Sequence, residues 1–335
     1  MKNQSKTSLP SHLFSWFSRS LIVLPILLLI LLLLFPSLSI QGACNGILLW
    51  FQVVLPTLAP FMICTYMITA LGGIRLLMSP LSPIFASLFH LTLSGSYILL
   101  CGLLCGYPLG AKMCADFQKR GAIRPKEAAY LLAIANHPSP MFLLGYVRTT
   151  LPLPVSPVLL LTCLYLPILP LSLVARHLYG IDAVFKSRFF SRPWLGASSL
   201  APADSHLENP VKKMSLEEAI GSTCQTMVLI GGYIMLFSIL AAWIQALPMI
   251  PPVLRAAFTG MAEITTGIHS LSTALPPEKA LLPVIAATAF GGLSGIFQTR
   301  SVIRDAGLSI RPYIGWKIAH ACLSCLTGAL LLSLV

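Results

Sequence analysis

The sequence predicts an all-α polytopic membrane protein with about seven to nine membrane segments, two of them broken or re-entrant. Three observations carry this prediction. Residues 20–74 contain no Lys, Arg, Asp or Glu, and further uncharged stretches recur at 76–111, 128–147, 149–175, 219–254, 280–299 and 318–335. Each is long enough for a membrane helix, and the first can hold two. Apolar residues make up 56% of the 335 and charged residues only 10%, against about 25% charged in a soluble domain. Small breakers also interrupt the apolar runs, above all at Cys105–Lys112 and Phe290–Gln298. Non-helical backbone at membrane depth is tolerated only where it is buried in protein or lines a cavity.

The elements follow in order. Leu21–Ile40 comes after Lys2, Lys6 and Arg19, and it is too long for a signal-peptide core. It reads as an anchor that starts from a cytoplasmic N-terminus and crosses outward. Residues 47–71 cross back. Residues 76–111 must begin and end on the same side. They read as a hairpin, with breaks at Pro80–Pro83, Ser94-Gly95 and Gly106-Tyr107-Pro108. Residues 128–147 go outward, broken near Asn136-His137-Pro138-Ser139-Pro140, and 153–175 return. The basic linker 176–215 contains a Pro-, Ser- and Ala-rich stretch, Ser191–Pro210, that reads as a loop. Ser215 followed by Glu217 and Glu218 has the look of a helix start. After it come 219–247, a helix over 253–275, the second break within 280–298, and a last helix over 312–334.

This order divides the chain into four parts: a tail and anchor (1–44), a first half (45–175), the linker (176–215) and a second half (216–335). Both halves run apolar helix, Gly break, polar residue, basic stretch, Gly, helix. A gap-free shift of 186 residues gives few identities, so an inverted repeat, a recurring transporter design, stays open.

The net charge of +12 does not point to nucleic acid. The basic residues gather in the N-terminal tail, in 112–127 and in 176–215, which read as cytoplasmic flanks that also attract anionic lipid. The nine cysteines lie along apolar helices as small packing residues, Cys322 and Cys325 included. No enzyme constellation is present: no phosphate loop, no His-Glu-x-x-His, no paired carboxylates and no nucleophile with a base. The expectation is a protein that is not an enzyme, with no cofactor and no metal.

The residues that could bind a solute sit at the breaks. Glu263 is the only acid between Glu218 and Glu278. On a continuous helix it would share a polar stripe with Thr259, Thr266, Gly267 and Ser270. Ionisable residues inside a membrane usually face the bundle interior, although an interfacial stripe facing water is the competing reading. Gly291, Gly292, Ser294 and Gln298 offer freed backbone and side-chain donors, and a half-helix starting there suits an anionic or carbonyl group. The competing reading is close helix packing through small residues. Gly106, Tyr107, Pro108 and Gly110 offer the same chemistry. Lys112 reads as an interface marker. Pro138 and Pro140 free backbone carbonyls that Asn136, water or a solute must satisfy. His137 and His320 read as structural histidines.

Together these residues suggest a family. The run Gly106–Lys112, then Glu127, then Asn136 with Pro140 and Phe142, resembles the YlbJ family of sporulation integral membrane proteins. So do Gly231-Gly232, Glu263–Ile268, Phe290–Ser294, Gln298 and His320. Upstream, Trp50, Leu55-Pro56 and Pro60-Phe61 also fit. The resemblance spans roughly residues 45–325. It implies a nucleoside-recognition, or Gate, domain and a role in spore formation, in the cortex or the forespore. It departs at His137-Pro138-Ser139, where the family pattern has small polar residues and Gly. The expectation is a transporter-like protein of the cell membrane, moving a small polar solute that is nucleoside-like or anionic. The rival is a non-transporting scaffold that assembles spore-envelope machinery. The expected partners are the lipid bilayer, other sporulation membrane proteins or further copies of the chain, and not nucleic acid.

Overall fold

The computed structural model describes residue 23 and residues 25–182 and 215–334. Linker residues 183–214, with Ser191–Pro210, and the tail 1–22 lie outside the described residues. All regular structure among the described residues is helical. Five helices are long and apolar enough to cross a membrane, or six if one bent pair is counted as a span.

α1 (Pro25–Leu34) leads into α2 (Pro36–Leu49), a π-helical turn at Trp50–Val54 and α3 (Leu55–Ala70). The sequence suggests two crossings here with a turn between them. Instead Pro36–Ala70 forms one 35-residue span. The small residues around 42–46 serve packing, not turning. A Cβ on Gly42 would lie 2.7 Å from Ile239 Cα, and one on Gly46 would lie 2.9 Å from Met235 Cα. Small residues let helix backbones approach this closely. Trp50 Nε1 donates to Met227 O at 2.9 Å, which seats the π turn on the same partner helix.

α4 (Ile74–Met78) and α5 (Ser82–Phe89) lead to α6 (Leu93–Cys105). α5 and α6 bend by 93° at His90, whose φ is 55°. The corner therefore lies at His90–Thr92 and not at Ser94-Gly95, which sits in the first turn of α6. Thr92 caps that turn, accepting from Gly95 N at 3.0 Å. Glu127 accepts from Thr92 N at 2.9 Å and from Thr92 Oγ1 at 2.7 Å. Gly95 leaves room for the Glu127 carboxylate, since a Cβ there would be 2.3 Å from Oε1. Asp182 holds the same corner, pairing with His90 at 2.7 Å and Arg176 at 3.3 Å. α7 (Leu109–Lys119) and α8 (Pro125–Ile134) follow. Then come α9 (Pro140–Phe142), a π-helical turn at Leu143–Val147, α10 (Arg148–Thr150), α11 (Pro157–Tyr165) and α12 (Ile168–Leu178).

The second half opens with α13 (Leu216–Gln245), capped by the Ser215–Glu218 capping box, in which each residue's side chain bonds the other's backbone N–H. The helix predicted over 253–275 is two: α14 (Pro252–Ala262) and α15 (Ile264–Ala274). Glu263 between them is extended, at φ −139° and ψ 126°. The single polar stripe is thereby divided. Thr259 stays on α14, while Thr266, Gly267 and Ser270 lie on α15. The two short helices fold against each other at Gly260 and Gly267, where a Cβ on Gly267 would sit 2.0 Å from Gly260 Cα. α16 (Leu281–Phe290) and α17 (Gly292–Ile303) belong to one span, Pro277–Ala306. It is interrupted near its middle by Gly291 and Gly292, with φ of 83° and 68°. α18 (Ile310–Ser333) closes the fold.

Large apolar side chains such as Leu33 (73% exposed) and Val228 (68% exposed) cover the outside. On a soluble protein such a surface would associate; here it is the face offered to lipid. The inside is unusually polar. Asn136, His137, Glu263, Ser294, Gln298, Thr299, Lys317 and His320 are all buried.

Candidate functional site in the bundle interior

Four chain breaks meet inside the bundle: Gly106–Pro108, Ala135–Ser139, Glu263 and Gly291-Gly292. The first two pack backbone to backbone. Tyr107 N donates to His137 O at 3.1 Å. A Cβ on Gly102 would be 1.9 Å from Ala135 O, and one on Gly110 would be 1.8 Å from the same atom. Gly110 is therefore a packing position. Gly106 has φ 86°, a conformation glycine adopts without strain, and its Cα faces Ser139 N. The Tyr107–Pro108 peptide is cis.

Tyr107 links the halves. Its ring lies against the second glycine break, 3.5 Å from a Cβ built on Gly291 and 3.3 Å from one built on Gly295. Lys317 Nζ sits 5.4 Å from the ring centroid on the α18 side. Gly292 in turn faces Gly260 O, Ala262 O and Ile264 N, each 3.4 Å from its built Cβ. The Gly291 break and the Glu263 break are thus neighbours.

Asn136 is a hub. Nδ2 donates to Tyr313 OH at 2.7 Å and to Thr299 Oγ1 at 3.0 Å, and Oδ1 accepts from Ala111 N at 3.3 Å. Its backbone oxygen takes a 3.4 Å bond from Lys317 Nζ. Every polar position of this side chain is engaged by α7, α17 or α18, which leaves it an organising role. A small open groove, lined by Tyr179, Ser309, Tyr313 and Trp316 among others, reaches the Tyr313 end of the network.

Glu263 caps α15. Its Oε2 accepts from Thr266 N at 2.8 Å, from Thr266 Oγ1 at 3.0 Å and from Thr265 Oγ1. A carboxylate at a helix N-terminus is favoured by the unpaired N–H groups and by the helix dipole. Oε1 receives no hydrogen bond from the described residues. Ser294 and Gln298 pair with each other, Gln298 Nε2 donating to Ser294 Oγ at 2.9 Å. The N-terminus of α17, at Gly291, has no side-chain cap.

The sequence singled out the Gly106, Asn136 and Gly291 breaks and the Glu263 side chain, but it missed the chain break at Glu263 and it missed Lys317. Lys317, which directly precedes the uncharged run 318–335, is 2% exposed and forms no ion pair among the described residues. A usable signal was present. Tyr313, Lys317, His320, Ser324 and Gly328 are the buried residues of α18, and their spacing is that of one helix face. A membrane helix whose inward face is polar faces a polar interior. His320, read as structural, lies against His137 with ring centroids 4.2 Å apart and the rings tilted by 57°.

The chain is 26% identical over 301 residues to the sporulation integral membrane protein YlbJ of Bacillus subtilis (strain 168), matching 83% of this chain and 74% of that protein. The chain is YlbJ-like. No family model matches, and no solved structure matches. Among the described residues of this YlbJ-like integral membrane protein, no three His, Cys, Asp or Glu side chains are grouped to hold a metal ion.

Proposed function

We propose that this protein is a transporter-like component of spore formation that carries a small polar solute through the bundle interior. It is not an enzyme on this reading. The observation that carries the proposal is the meeting of the two glycine breaks at Tyr107, with a buried acid and a buried lysine on adjacent sides. Paired broken helices near the bilayer midplane are the usual architecture of a transport site. The Glu263 Oε1 oxygen, the uncapped α17 N-terminus and Lys317 are the groups available to a solute. They suit a hydroxyl- or amide-bearing solute of the nucleoside kind at the acid, and an anionic or carbonyl group at α17. Gly106, Pro108, Gly110, Asn136 and Thr266 act one layer back, holding the breaks in place. The name of the YlbJ relative supports the setting in sporulation. The basic flanks support a cytoplasmic N-terminus.

The test is uptake by proteoliposomes against a panel of nucleosides and small carboxylates. Wild type should take up at least one, and Glu263→Gln should slow it by at least tenfold. Equal uptake of every solute by protein-free and protein-containing vesicles sinks the proposal. Deleting 183–214 separates it from a scaffold role: uptake should survive the deletion, whereas a scaffold should lose its partners.

A further inference from the structure

His320 lies between two helix ends. Its Nε2 is 2.8 Å from Leu164 O and its Nδ1 is 3.4 Å from Ala289 O. Both oxygens belong to last turns: α11 ends at Tyr165 and α16 at Phe290. Carbonyls in a last turn lack an intrahelical donor and form the negative end of the helix dipole. A neutral imidazole has one N–H and one lone pair. It can donate to only one of these oxygens, and its second nitrogen then turns a lone pair toward the other carbonyl. An imidazolium donates to both.

We propose that His320 is a proton-binding site in the bundle interior, and that its proton joins the end of α11 to the end of α16. The step balances simply. A proton from bulk water adds to the Nδ1 lone pair, an Nδ1–H···O bond to Ala289 forms, and one positive charge enters the site. Release reverses each change. Ala289 lies two residues before Gly291, so loss of the proton frees the carbonyl end next to the glycine break. The bond thus makes the geometry of that break depend on protonation.

His137 is the partner through which the proton arrives and leaves. It is 1% exposed, neither of its ring nitrogens has a hydrogen-bond partner among the described residues, and its ring lies against that of His320, tilted by 57° with centroids 4.2 Å apart. The other titratable groups around the pair are named element by element. Lys317 and Tyr313 lie on the same face of α18, with Cys325 farther along that helix. Tyr107 comes from the α6–α7 break, with Cys105 just before it. Tyr165 comes from α11 and donates to Pro138 O at 2.8 Å, with Cys163 nearby on the same helix. α16 contributes no ionisable side chain. No carboxylate among the described residues pairs with His137, Lys317 or His320; Glu263 lies beyond Tyr107. Three bases without an acid in a low-dielectric interior cannot all be charged. A proton on Lys317 therefore opposes one on His320, three residues away on the same face.

Only the use of this proton rests on the transport reading. The site itself is tested without a solute. Full-length protein in nanodiscs, labelled with ¹⁵N in the histidine rings, is titrated from pH 3 to 9. One buried imidazole, absent from the spectrum of His320→Gln, should pass from one protonated ring nitrogen to two. In Lys317→Met its midpoint should rise by about one pH unit or more. If the His320 ring keeps one protonated nitrogen across the range in both proteins, the proposal is wrong. The Lys317→Met arm keeps it falsifiable if His320→Gln does not fold. Coupling is read separately. For any solute of the panel that enters wild-type vesicles, a pH gradient should raise accumulation several-fold. In His320→Gln the gradient should have no effect, while solute exchange at equal pH persists. Accumulation in wild type that ignores the gradient overturns the coupling. Failure of every solute to enter overturns the transport reading alone, and the titration still decides the proton site.

Discussion

One substitution tests the placement of Gly110 as a packing position against Ala135. In Gly110→Ala the new methyl would start 1.8 Å from Ala135 O. Carbon and oxygen need about 3 Å or more, so α7 and α8 must part by more than about 1 Å. The obstacle is backbone, and no rotamer change relieves it. Overpacking of this kind costs about 1–3 kcal/mol, and forced backbone movement places Gly110→Ala toward the upper end. Ala135 directly precedes Asn136, so the shift also strains the bonds to Ala111, Thr299 and Tyr313. About 2 kcal/mol should lower the thermal midpoint in detergent by about 4 °C or more. Gly315→Ala is the control: nothing lies within 4 Å of its Cβ, and alanine is the better helix former by about 1 kcal/mol. Gly102→Ala strikes the same oxygen, so the double variant should lose less than the sum of the singles. If Gly110→Ala melts with Gly315→Ala, or if the two clashing variants add fully, the close packing of α6, α7 and α8 is wrong.

Other substitutions test the polar interior. Lys317→Met removes a buried amine that has no acid partner among the described residues, so the protein should be as stable as wild type or more stable by about 1 kcal/mol or more, while uptake falls; a lower melting temperature refutes this. Glu263→Ala should cost about 1 kcal/mol as a lost cap. Glu263→Gln, which keeps an acceptor oxygen, should cost less by the same thermal assay; equal losses would rule out the capping role. Asn136→Leu strands three buried partners and should cost about 2–4 kcal/mol, measured as loss of monodisperse protein on gel filtration after graded heating. Trp50→Phe should cost about 1 kcal/mol through the lost bond to Met227, read from the same heating series.

The Gly106, Asn136 and Gly291 breaks were legible because glycine and proline are local signals that hold in any surroundings. The break at Glu263 was not. Leu254–Leu275 carries no glycine or proline at that point, and its polar spacing fits an unbroken helix. What ends α14 there is a tertiary event, the crossing of Gly260 over Gly267, together with a carboxylate that caps the next helix. The turn expected near 41–46 failed for the opposite reason. Gly42 and Gly46 are small so that α13 can come close, and no local pattern distinguishes that use from a turn. Lys317 was hidden by its position beside an apolar run, where a flanking lysine and a buried one look alike.

The sequence by itself determined that the chain is a helical membrane protein, because long uncharged runs have no other way to satisfy their backbone in lipid. It also located most of the interruptions, and it carried the YlbJ likeness. Only the tertiary structure decided which interruptions meet. Tyr107 against Gly291, Asn136 between α7, α17 and α18, and His320 between the ends of α11 and α16 join residues up to 184 positions apart along the chain. Their contact depends on how whole helices cross, and helix crossing is set by the summed packing of many small contacts that no local stretch of sequence contains.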